Sequence, residues 1–334
     1  MTLTVCLING DGVGKEVIPA AAQVLQALQL GITFTYAQAG WECFQQYGNA
    51  LPEATIAAMQ AADGTLFGAT QSPSTKVDGY QSPVLAMRRL FDLYANLRPT
   101  FSLPIHGCPQ NLDFLIVREN TEGLYSGRER REDNGKTAIT ERVITEKASE
   151  RIVRMAFQLA RQRLRKHVTI VHKANVLKET DGLFRECALR VASEFPDVQY
   201  GELLVDACAM WLVKAPERFD VIVTTNLFGD ILSDEAAGLV GGLGIAPSAN
   251  IGASKVSYFE PVHGSAPDIA GKGIANPIGA ILSAAMWLDH VGQTGSAAQV
   301  RAAVNRTLAD GILTGDLGGS ASTERMTAEI IRRL

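Results

Sequence analysis

Short apolar runs alternate along the chain with segments whose apolar residues have helical spacing. The first run, residues 4–8, ends in Asn9-Gly10-Asp11-Gly12. Apolar side chains then recur with the period of one helix face, at Val17, Ile18, Ala21, Val24, Leu25 and Leu28. This pattern predicts a strand, a tight turn and an amphipathic helix.

Three later apolar runs, at 115–117, 168–171 and 221–223, have the continuous character of strands that are buried on both faces. Each run ends in polar residues: Arg118-Glu119-Asn120, His172-Lys173-Ala174-Asn175 and Thr224-Thr225-Asn226. Ligands of open α/β sheets bind beyond the carboxyl ends of the strands. We therefore predict an α/β fold in which these polar residues carry the function.

The segment 137–145 has a different character. It is rich in β-branched residues and follows the polar stretch 128–136, so we predict a strand or arm outside the main sheet. A helix is predicted to begin at Ser149, with Ile152, Val153, Ala156, Phe157 and Ala160 facing inward.

Composition favours a cytoplasmic globular protein of about two domains. The 334 residues are 46% hydrophobic, and the net charge of −4 offers no basic surface to nucleic acid. The first residues do not resemble a secretory signal, and no apolar run reaches the length of a membrane span. The five cysteines are odd in number and widely spaced, which favours a reducing compartment.

The glycine cluster Gly10-Asp11-Gly12-Val13-Gly14 is a weak signal. It lies between a predicted strand and a predicted helix, where phosphate-binding loops occur, but its spacing is not that of the dinucleotide fingerprint. A tight turn and a phosphate loop are equally compatible with it.

Three aspartates have a pattern that suits a hard metal ion. Asp230 and Asp234 are four residues apart at the start of a predicted helix, and Asp206 follows the apolar run 203–205. Either helical aspartate alone is better explained as a complement to the helix dipole. Three carboxylates without thiolates or a histidine cluster suit Mg²⁺ or Mn²⁺.

Three arginines are candidates for binding an anionic substrate. Arg88 and Arg98 flank an apolar segment, and Arg118 follows a predicted strand. Guanidinium groups bind carboxylates through paired hydrogen bonds, so several together suit a di- or tricarboxylate. Most arginines lie at the surface, which is how we interpret Arg89.

Six ordered motifs extend over nearly the whole chain: LINGDGVGKEV, DLYANLRP, VRENTEGLY, VHKANVLK, TTNLFGDILSDEAAGLVGGLG and FEPVHGSAPDIAGKGIANP. With them the sequence resembles the β-decarboxylating dehydrogenases, which act on isocitrate, homoisocitrate, 3-isopropylmalate, tartrate or D-malate. The NLFGDILSD and AGLVGGLG segments look closest to the homoisocitrate and bacterial NAD-isocitrate branch. The resemblance implies an enzyme that oxidises and decarboxylates a 2-hydroxy-3-carboxy acid.

The resemblance also implies an architecture. It is a two-domain α/β fold with a large mixed twisted sheet flanked by helices, unlike the classical Rossmann fold. Residues 1–99 and 243–334 would form a large cofactor-binding domain, and residues 100–242 a small domain with the dimer contact. The 137–145 arm would belong to an intersubunit clasp, and each active site of the homodimer would borrow residues from the other subunit.

Carried over motif by motif, the resemblance implies roles for individual residues. Arg88, Arg98 and Arg118 would hold the malate-like carboxylates, and Asp206, Asp230 and Asp234 would bind the metal, with Asp206 reaching across the dimer. Lys173 would be the base, directly or through water and Asp206, and Tyr125 would protonate the product carbon. The cofactor would contact Asn175 near the nicotinamide and an adenosine pocket formed by His263, Gly264, Ser265, Ala266, Asp268, Ile269 and Asn276.

Asp268 implies NAD rather than NADP. NAD-preferring relatives carry an acidic residue at this position of the loop, and a carboxylate accepts hydrogen bonds from a ribose diol and repels a 2′-phosphate.

The helix before Arg88 would meet the substituent at substrate C3. Ser82 matches isocitrate enzymes, but Val84 stands where they tend to have asparagine, and Leu85 where homoisocitrate enzymes tend to have arginine. A desolvated carboxylate against two aliphatic side chains is costly. We therefore predict a 3-alkylmalate such as 3-isopropylmalate as the substrate.

Other interpretations stay open. The overall resemblance favours isocitrate or homoisocitrate, and Trp211 is either a packing change or an adaptation to a bulky substituent. A noncatalytic regulatory subunit of the same fold would be expected to lose part of the Tyr–Lys–Asp set, which this chain retains. A simple Rossmann 2-hydroxy acid dehydrogenase lacks support because the fingerprint is missing.

Overall fold

The computed structural model describes residues 3–334, which divide into two compact units. The first unit combines the residues up to Asp92 with Ser102–Gln110 and Ala237–Leu334, and the second combines Leu93–Phe101 with Asn111–Ala236. Residues 93–99, predicted in the large domain, group with the second unit, because the strand Ala95–Phe101 pairs along its whole length with Asp113–Glu119. Residues 102–110 and 237–242, predicted in the small domain, group with the first unit.

The strands, in chain order, are β1 (Thr4–Gly10), β2 (Thr33–Ala37), β3 (Thr65–Ala69), β4 (Ala95–Phe101), β5 (Asp113–Glu119), β6 (Glu129–Glu132), β7 (Thr137–Thr140), β8 (His167–His172), β9 (Gln199–Leu204), β10 (Val221–Thr224), β11 (Pro247–Ile251) and β12 (Tyr258–Pro261). The helices are α1 (Gly14–Ala27), α2 (Trp41–Tyr47), α3 (Glu53–Ala61), α4 (Pro83–Leu90), α5 (Glu146–Arg161), α6 (Thr180–Ala192), α7 (Val205–Lys214), α8 (Asn226–Val240), α9 (Ile278–His290), α10 (Thr294–Ala309) and α11 (Thr323–Arg332). These elements confirm the predicted α/β class.

The first unit has its strands in the order β2-β1-β3-β12-β11. All neighbours are parallel except β11 and β12. Helices α1 and α9 pack against each other and against these strands, and α9 is almost entirely buried. The predicted inward face of α1 is confirmed from Val17 to Leu25, whereas Leu28 lies just beyond the helix end and is half-buried.

The second unit has its strands in the order β4-β5-β10-β8-β9. Only β4 and β5 are antiparallel. The predicted runs at 115–117, 168–171 and 221–223 form β5, β8 and β10, whose apolar residues are buried as expected for interior strands. The carboxyl ends of these strands therefore deliver Arg118, Lys173 and Thr225 to one edge of the second unit.

The predicted arm is a separate two-stranded antiparallel sheet of β6 and β7. The strand in it covers Thr137–Thr140, which is shorter than the predicted 137–145. The following helix begins at Glu146 rather than Ser149, because the Thr145 side chain accepts a hydrogen bond from the Ala148 N–H and caps the helix.

The turn after β1 is held together by the buried carboxylate of Asp11. Its two oxygens accept main-chain hydrogen bonds from Trp41 at 2.8 Å, Glu42 at 3.0 Å and Gln71 at 2.8 Å. The acidic residue of the glycine cluster thus caps α2 and joins three segments of the first unit. None of the helices among residues 3–334 has the length and apolar character to cross a membrane.

Candidate active site

The beginning of α8 brings two carboxylates of the predicted metal set together with Arg98. Asp230 and Asp234 lie one turn apart on this helix, as their spacing predicted. Arg98 Nη1 donates to Asp234 Oδ1 at 2.8 Å, and Arg98 Nη2 lies 3.4 Å from Asp230 Oδ1. The guanidinium also donates to Asn96 at 2.8 Å and Ser233 at 2.6 Å. A single, well-oriented arginine therefore joins both carboxylates.

Arg118 and Tyr125 converge on the same Asp230. The Arg118 side chain is only 2% exposed and donates to Asp230 Oδ1 and, at 2.9 and 2.8 Å, to the main-chain and side-chain oxygens of Asn226. Tyr125 lies in the 3₁₀ turn Leu124–Ser126 and donates its hydroxyl to Asp230 Oδ2 at 2.5 Å. The predicted substrate arginines of the second unit and the predicted proton donor thus surround one carboxylate.

Gly229 makes the close approach of α8 to Arg118 possible. A Cβ atom at Gly229 would lie 2.6 Å from Arg118 Cγ and 2.7 Å from its Cβ. Any larger residue would force the helix away from the buried guanidinium. The glycine of the NLFGD motif is therefore the sequence signal for this packing.

Burial and neighbouring charges raise the pKa of two groups in this cluster, so both groups hold a proton more readily than usual. Burial raises the pKa of the Tyr125 hydroxyl, and the hydrogen bond to Asp230 raises it further. Burial also raises the pKa of Asp234, against the opposing effect of Arg98 and with the help of the Asp230 charge. Tyr125 therefore holds its proton at neutral pH, and the two aspartates repel each other.

Lys173 and Asp206 form a second pair in the second unit. Lys173 follows β8, Asp206 is in the first turn of α7, and the Lys173 Nζ lies 2.5 Å from Asp206 Oδ1. The hydrogen bond from Lys173 lowers the pKa of Asp206, which is well exposed. The sequence analysis linked these residues by having Lys173 act directly or through water and Asp206, but it did not include a direct contact between them within one chain.

Two residues that sequence reasoning missed adjoin this pair. Asp181 is completely buried in the first turn of α6, and it accepts hydrogen bonds from the Lys173 main-chain N–H at 2.5 Å and from Arg142. Arg142 also donates to Thr225 Oγ1 at 2.8 Å. The only sequence signal was an aspartate near a helix N-terminus, which is normally a dipole effect.

Arg88, the remaining predicted substrate arginine, is buried in the first unit. Its Nε donates to the Tyr258 hydroxyl at 3.3 Å, and its Nη2 lies 3.8 Å from Glu260 Oε1. The Arg88 guanidinium is therefore held inside the first unit beside a tyrosine hydroxyl and a glutamate.

The predicted specificity residues are on the same helix as Arg88. Ser82 precedes α4 and its hydroxyl does not cap the helix, while Val84 and Leu85 are half-buried in the first turn. Val84 and Leu85 lie four and three residues before Arg88, so they share its side of the helix. The helix positions one turn before Arg88 are thus aliphatic.

Four of the predicted adenosine residues line a cavity of about 400 Å³ in the first unit. Its walls include His263, Ala266, Ile269 and Asn276, together with Asp316. Asn276 Nδ2 donates to Asp316 Oδ2 at 3.0 Å. The His263 Nε2 atom is buried without a hydrogen-bond partner among residues 3–334, and burial lowers the pKa of this histidine. An unsatisfied ring nitrogen in a mainly apolar wall suits a planar ligand with a polar edge.

The other predicted cofactor residues do not line this cavity. Ser265 is buried and accepts a main-chain hydrogen bond from Val13 at 2.9 Å, and a side chain at Gly12 would collide with the Ser265 carbonyl at 2.0 Å. The glycine cluster therefore packs directly against the 263–269 loop. Gly264 and Asp268 are exposed on that loop, and Asn175 is exposed in the second unit.

Trp211, on α7, is explained by packing. Its ring lies 4.3 Å from the Arg218 guanidinium carbon and 5.5 Å from Lys214 Nζ. Cations over an indole ring are a stabilising arrangement. The structure thus places Trp211 beside two cations in the second half of α7, away from Asp206 at its beginning.

No group of three acidic, histidine or cysteine side chains converges on a metal position within residues 3–334. Asp230 and Asp234 share α8, whereas Asp206 is paired with Lys173. A single chain therefore offers two of the three predicted metal ligands in one place.

Comparison with known proteins agrees with these features. The model of the isocitrate/isopropylmalate dehydrogenase family matches residues 4–332. The chain is 54% identical over 334 residues to isocitrate/homoisocitrate dehydrogenase of Thermus thermophilus, which covers 100% of this chain and 99% of the relative. It is 51% identical, with the same coverage, to 3-isopropylmalate dehydrogenase of Methanothermobacter thermautotrophicus. The crystal structure of isocitrate dehydrogenase from Methylococcus capsulatus matches with a TM-score of 0.95 at 42% identity, covering 99% of each chain.

Proposed function

The chain belongs to the isocitrate/isopropylmalate dehydrogenase family of NAD(P)-dependent oxidative decarboxylases, and from this premise we propose that it oxidises a 3-alkylmalate such as 3-isopropylmalate with NAD and a divalent metal. The observation that carries the proposal is the convergence of two arginines and Tyr125 on Asp230. Fixed guanidinium groups bind a dicarboxylate, and a protonated tyrosine beside them can deliver a proton.

Asp230 and Asp234 would hold Mg²⁺ or Mn²⁺, the kind of cofactor that the family uses. They offer oxygen donors one turn apart, and their mutual repulsion favours a cation between them. We assign the third ligand to Asp206 of a second copy, because no third acidic group joins them within residues 3–334. When bound, the metal stabilises negative charge on substrate oxygen during oxidation and loss of CO₂.

The cavity around His263 would hold the adenine end of NAD. The buried, unpartnered Nε2 of His263 and the apolar side chains of Ala266 and Ile269 suit the edge and faces of a purine. When bound, the nicotinamide accepts the hydride. The preference for NAD over NADP rests on the exposed carboxylate of Asp268, which would oppose a 2′-phosphate.

Side chains of the protein itself would bind the substrate and transfer protons. Arg88, Arg98 and Arg118 would orient the carboxylates of the substrate. Lys173, supplied by the same copy as the Asp206 with which it is paired, would take the proton of the substrate hydroxyl. Because a lysine accepts a proton only when neutral, this ion pair must open first. Tyr125 would give its proton to the carbon that has lost CO₂.

The substituent at C3 would lie against Val84 and Leu85. Both side chains are half-buried beside Arg88, so a ligand there displaces water from aliphatic surface. An alkyl group gains from that burial, whereas a carboxylate loses its hydration without gaining a partner.

We also propose that the enzyme is a homodimer with shared active sites. Apolar side chains are exposed on the helices that carry the acidic residues: Met210 and Val213 on α7, at 46% and 62%, and Ile231 on α8, at 57%. Burying such surface against a second copy is favourable, and self-complementary pairing is the commonest way for soluble proteins to do so.

A parallel assay tests the substrate assignment. NADH formation is measured with 3-isopropylmalate, isocitrate, homoisocitrate, D-malate and tartrate, and we expect preference for the alkylmalate. Leu85→Arg should shift kcat/KM toward the tricarboxylates by about tenfold or more. Leu90→Arg, on the exposed side of the same helix, is the matched control and should leave the ratio unchanged. A wild-type preference for isocitrate, or an unchanged ratio in Leu85→Arg, contradicts the assignment.

Isocitrate or homoisocitrate is the second candidate, favoured by the 54% identity to an enzyme named for both. A regulatory subunit is the alternative from another class, and the intact Tyr125 and Lys173 contacts count against it. Absence of NADH formation with every substrate in Mn²⁺ would favour the regulatory role.

A further inference from the structure

The main-chain position of Lys173 depends on one buried carboxylate. Asp181 is 0% exposed, and its Oδ2 accepts the Lys173 N–H at 2.5 Å. A buried carboxylate is stable only when its charge is balanced. The balancing charge is Arg142, which donates to Asp181 Oδ1 and whose side chain is 14% exposed.

Arg142 makes a second connection, to the beginning of α8. Its Nη2 donates to Thr225 Oγ1 at 2.8 Å, and its guanidinium carbon lies 4.7 Å from the centre of the Phe228 ring. The Thr225 carbonyl accepts the Gly229 N–H at 2.9 Å within the first turn of α8. The guanidinium plane is thus fixed by a carboxylate, a hydroxyl and an aromatic face.

We propose that Arg142 is a positioning residue for the reaction. The Arg142 bridge, which consists of Arg142, Asp181 and Thr225, fixes the Lys173 main chain relative to the start of α8. That start carries Asp230, the carboxylate on which Tyr125 and two substrate arginines converge. Lys173 is paired with Asp206 of its own chain, and we assign that Asp206 to the site of a second copy. The bridge therefore connects the base that one chain would supply to the neighbouring site with the acid cluster of its own site, which consists of Tyr125, Asp230 and Asp234.

The chemistry of the bridge requires arginine. Only a planar guanidinium presents two donors at a fixed angle to two acceptors while it stacks on a ring. Lysine would keep the charge next to Asp181, but its ammonium group has neither the fixed fork of donors nor the flat face that stacks on a ring. The inference rests on the proposed role of Lys173 as base. The experiment is chosen so that failure of the inference and failure of the proposed function give different results.

The test compares Arg142→Lys and Arg142→Ala with Arg130→Ala as the matched control. Arg130 is on the same arm, 50% exposed and ion-paired with Glu132 and Glu141. We expect kcat to fall on the order of 100-fold in Arg142→Ala, since a small misplacement of a reacting group has an effect of this size. KM for NAD should stay unchanged, and added guanidinium ion should restore part of kcat. Arg130→Ala should behave as the wild-type enzyme.

A second measurement keeps the inference testable if Arg142→Ala does not fold. Arg142→Lys retains the charge and should fold, with a lower kcat and a displaced pH dependence of kcat, because the environment of the base changes. Wild-type kcat and pH profile in Arg142→Lys, or loss of kcat that only follows loss of folded protein, would overturn the inference. Full activity of Lys173→Ala would instead refute the proposed function.

Discussion

Replacing Tyr125 by phenylalanine removes a single hydroxyl group from the acid cluster. In the native chain this hydroxyl donates to Asp230 Oδ2 at 2.5 Å, and the ring lies 5.4 Å from the Arg118 guanidinium carbon. Burial and the adjacent Asp230 raise the pKa of Tyr125, so the group is protonated at neutral pH. Phenylalanine preserves the contact with Arg118 and has no proton to give.

The expected effect on stability is small and the effect on turnover is large. A hydrogen bond to a charged acceptor contributes about 1.5–3 kcal/mol, and the partial exposure of Asp230 places the loss at the lower end. General acid catalysis by a side chain contributes about 10²–10⁴-fold in rate, which corresponds to about 3–5 kcal/mol in the barrier. We therefore expect kcat of Tyr125→Phe to fall by at least about 100-fold.

Rapid mixing can locate the affected step. Hydride transfer precedes protonation of the product carbon, so Tyr125→Phe should form one NADH per active site rapidly and then turn over slowly. The control is Tyr80→Phe, which removes a hydroxyl that donates to the Gln71 carbonyl at 3.2 Å, and it should keep wild-type kcat. A Tyr125→Phe enzyme whose steady-state rate of NADH formation equals that of the wild-type enzyme, with no burst, would refute the assignment of Tyr125 as the acid.

Three further predictions concern stability and the cofactor. Asp11→Ala removes the buried acceptor of three part-buried main-chain hydrogen bonds and should lower the free energy of unfolding in denaturant titration by about 1–3 kcal/mol. Burial lowers the pKa of His167, His263 and His290 below the ordinary 6.5. The unfolded chain therefore binds protons more strongly than the folded chain, and the melting temperature should fall as the pH drops below about 6.5. His263→Gln should make the melting temperature depend less steeply on pH. Asp268→Asn should raise kcat/KM for NADP relative to NAD, and an unchanged ratio would remove the basis for the proposed NAD preference.

The interior strands could be predicted because their sequence is dominated by burial. The runs that form β5, β8 and β10 are apolar throughout, as two covered faces require. In β9 the prediction covered only the last residues, because most of this edge strand is exposed and polar. Pro99 and buried polar residues likewise obscured β4, whose pairing with β5 decides the unit boundary.

The sequence predicted several residues of the site, but it did not predict which side chains would be in contact. The spacing of Asp230 and Asp234 follows from helix geometry, so their shared face could be foreseen. The contacts between side chains could not be foreseen. Arg142 and Asp181 are 39 positions apart in sequence, and the sequence analysis identified neither as a functional residue. Contacts of this kind depend on how β8, α6 and α8 are arranged, which local patterns do not encode.

Activity of a mixed dimer is the most direct test of the claim that Asp206 completes the metal site of Asp230 in another subunit. Subunits carrying Asp206→Asn and Asp230→Asn are coexpressed with different affinity tags, and the heterodimer is purified. Each variant alone should be inactive, and the heterodimer should show about half of wild-type activity, because one of its two symmetric sites is intact. A purified heterodimer with no more activity than the two single variants would contradict the account.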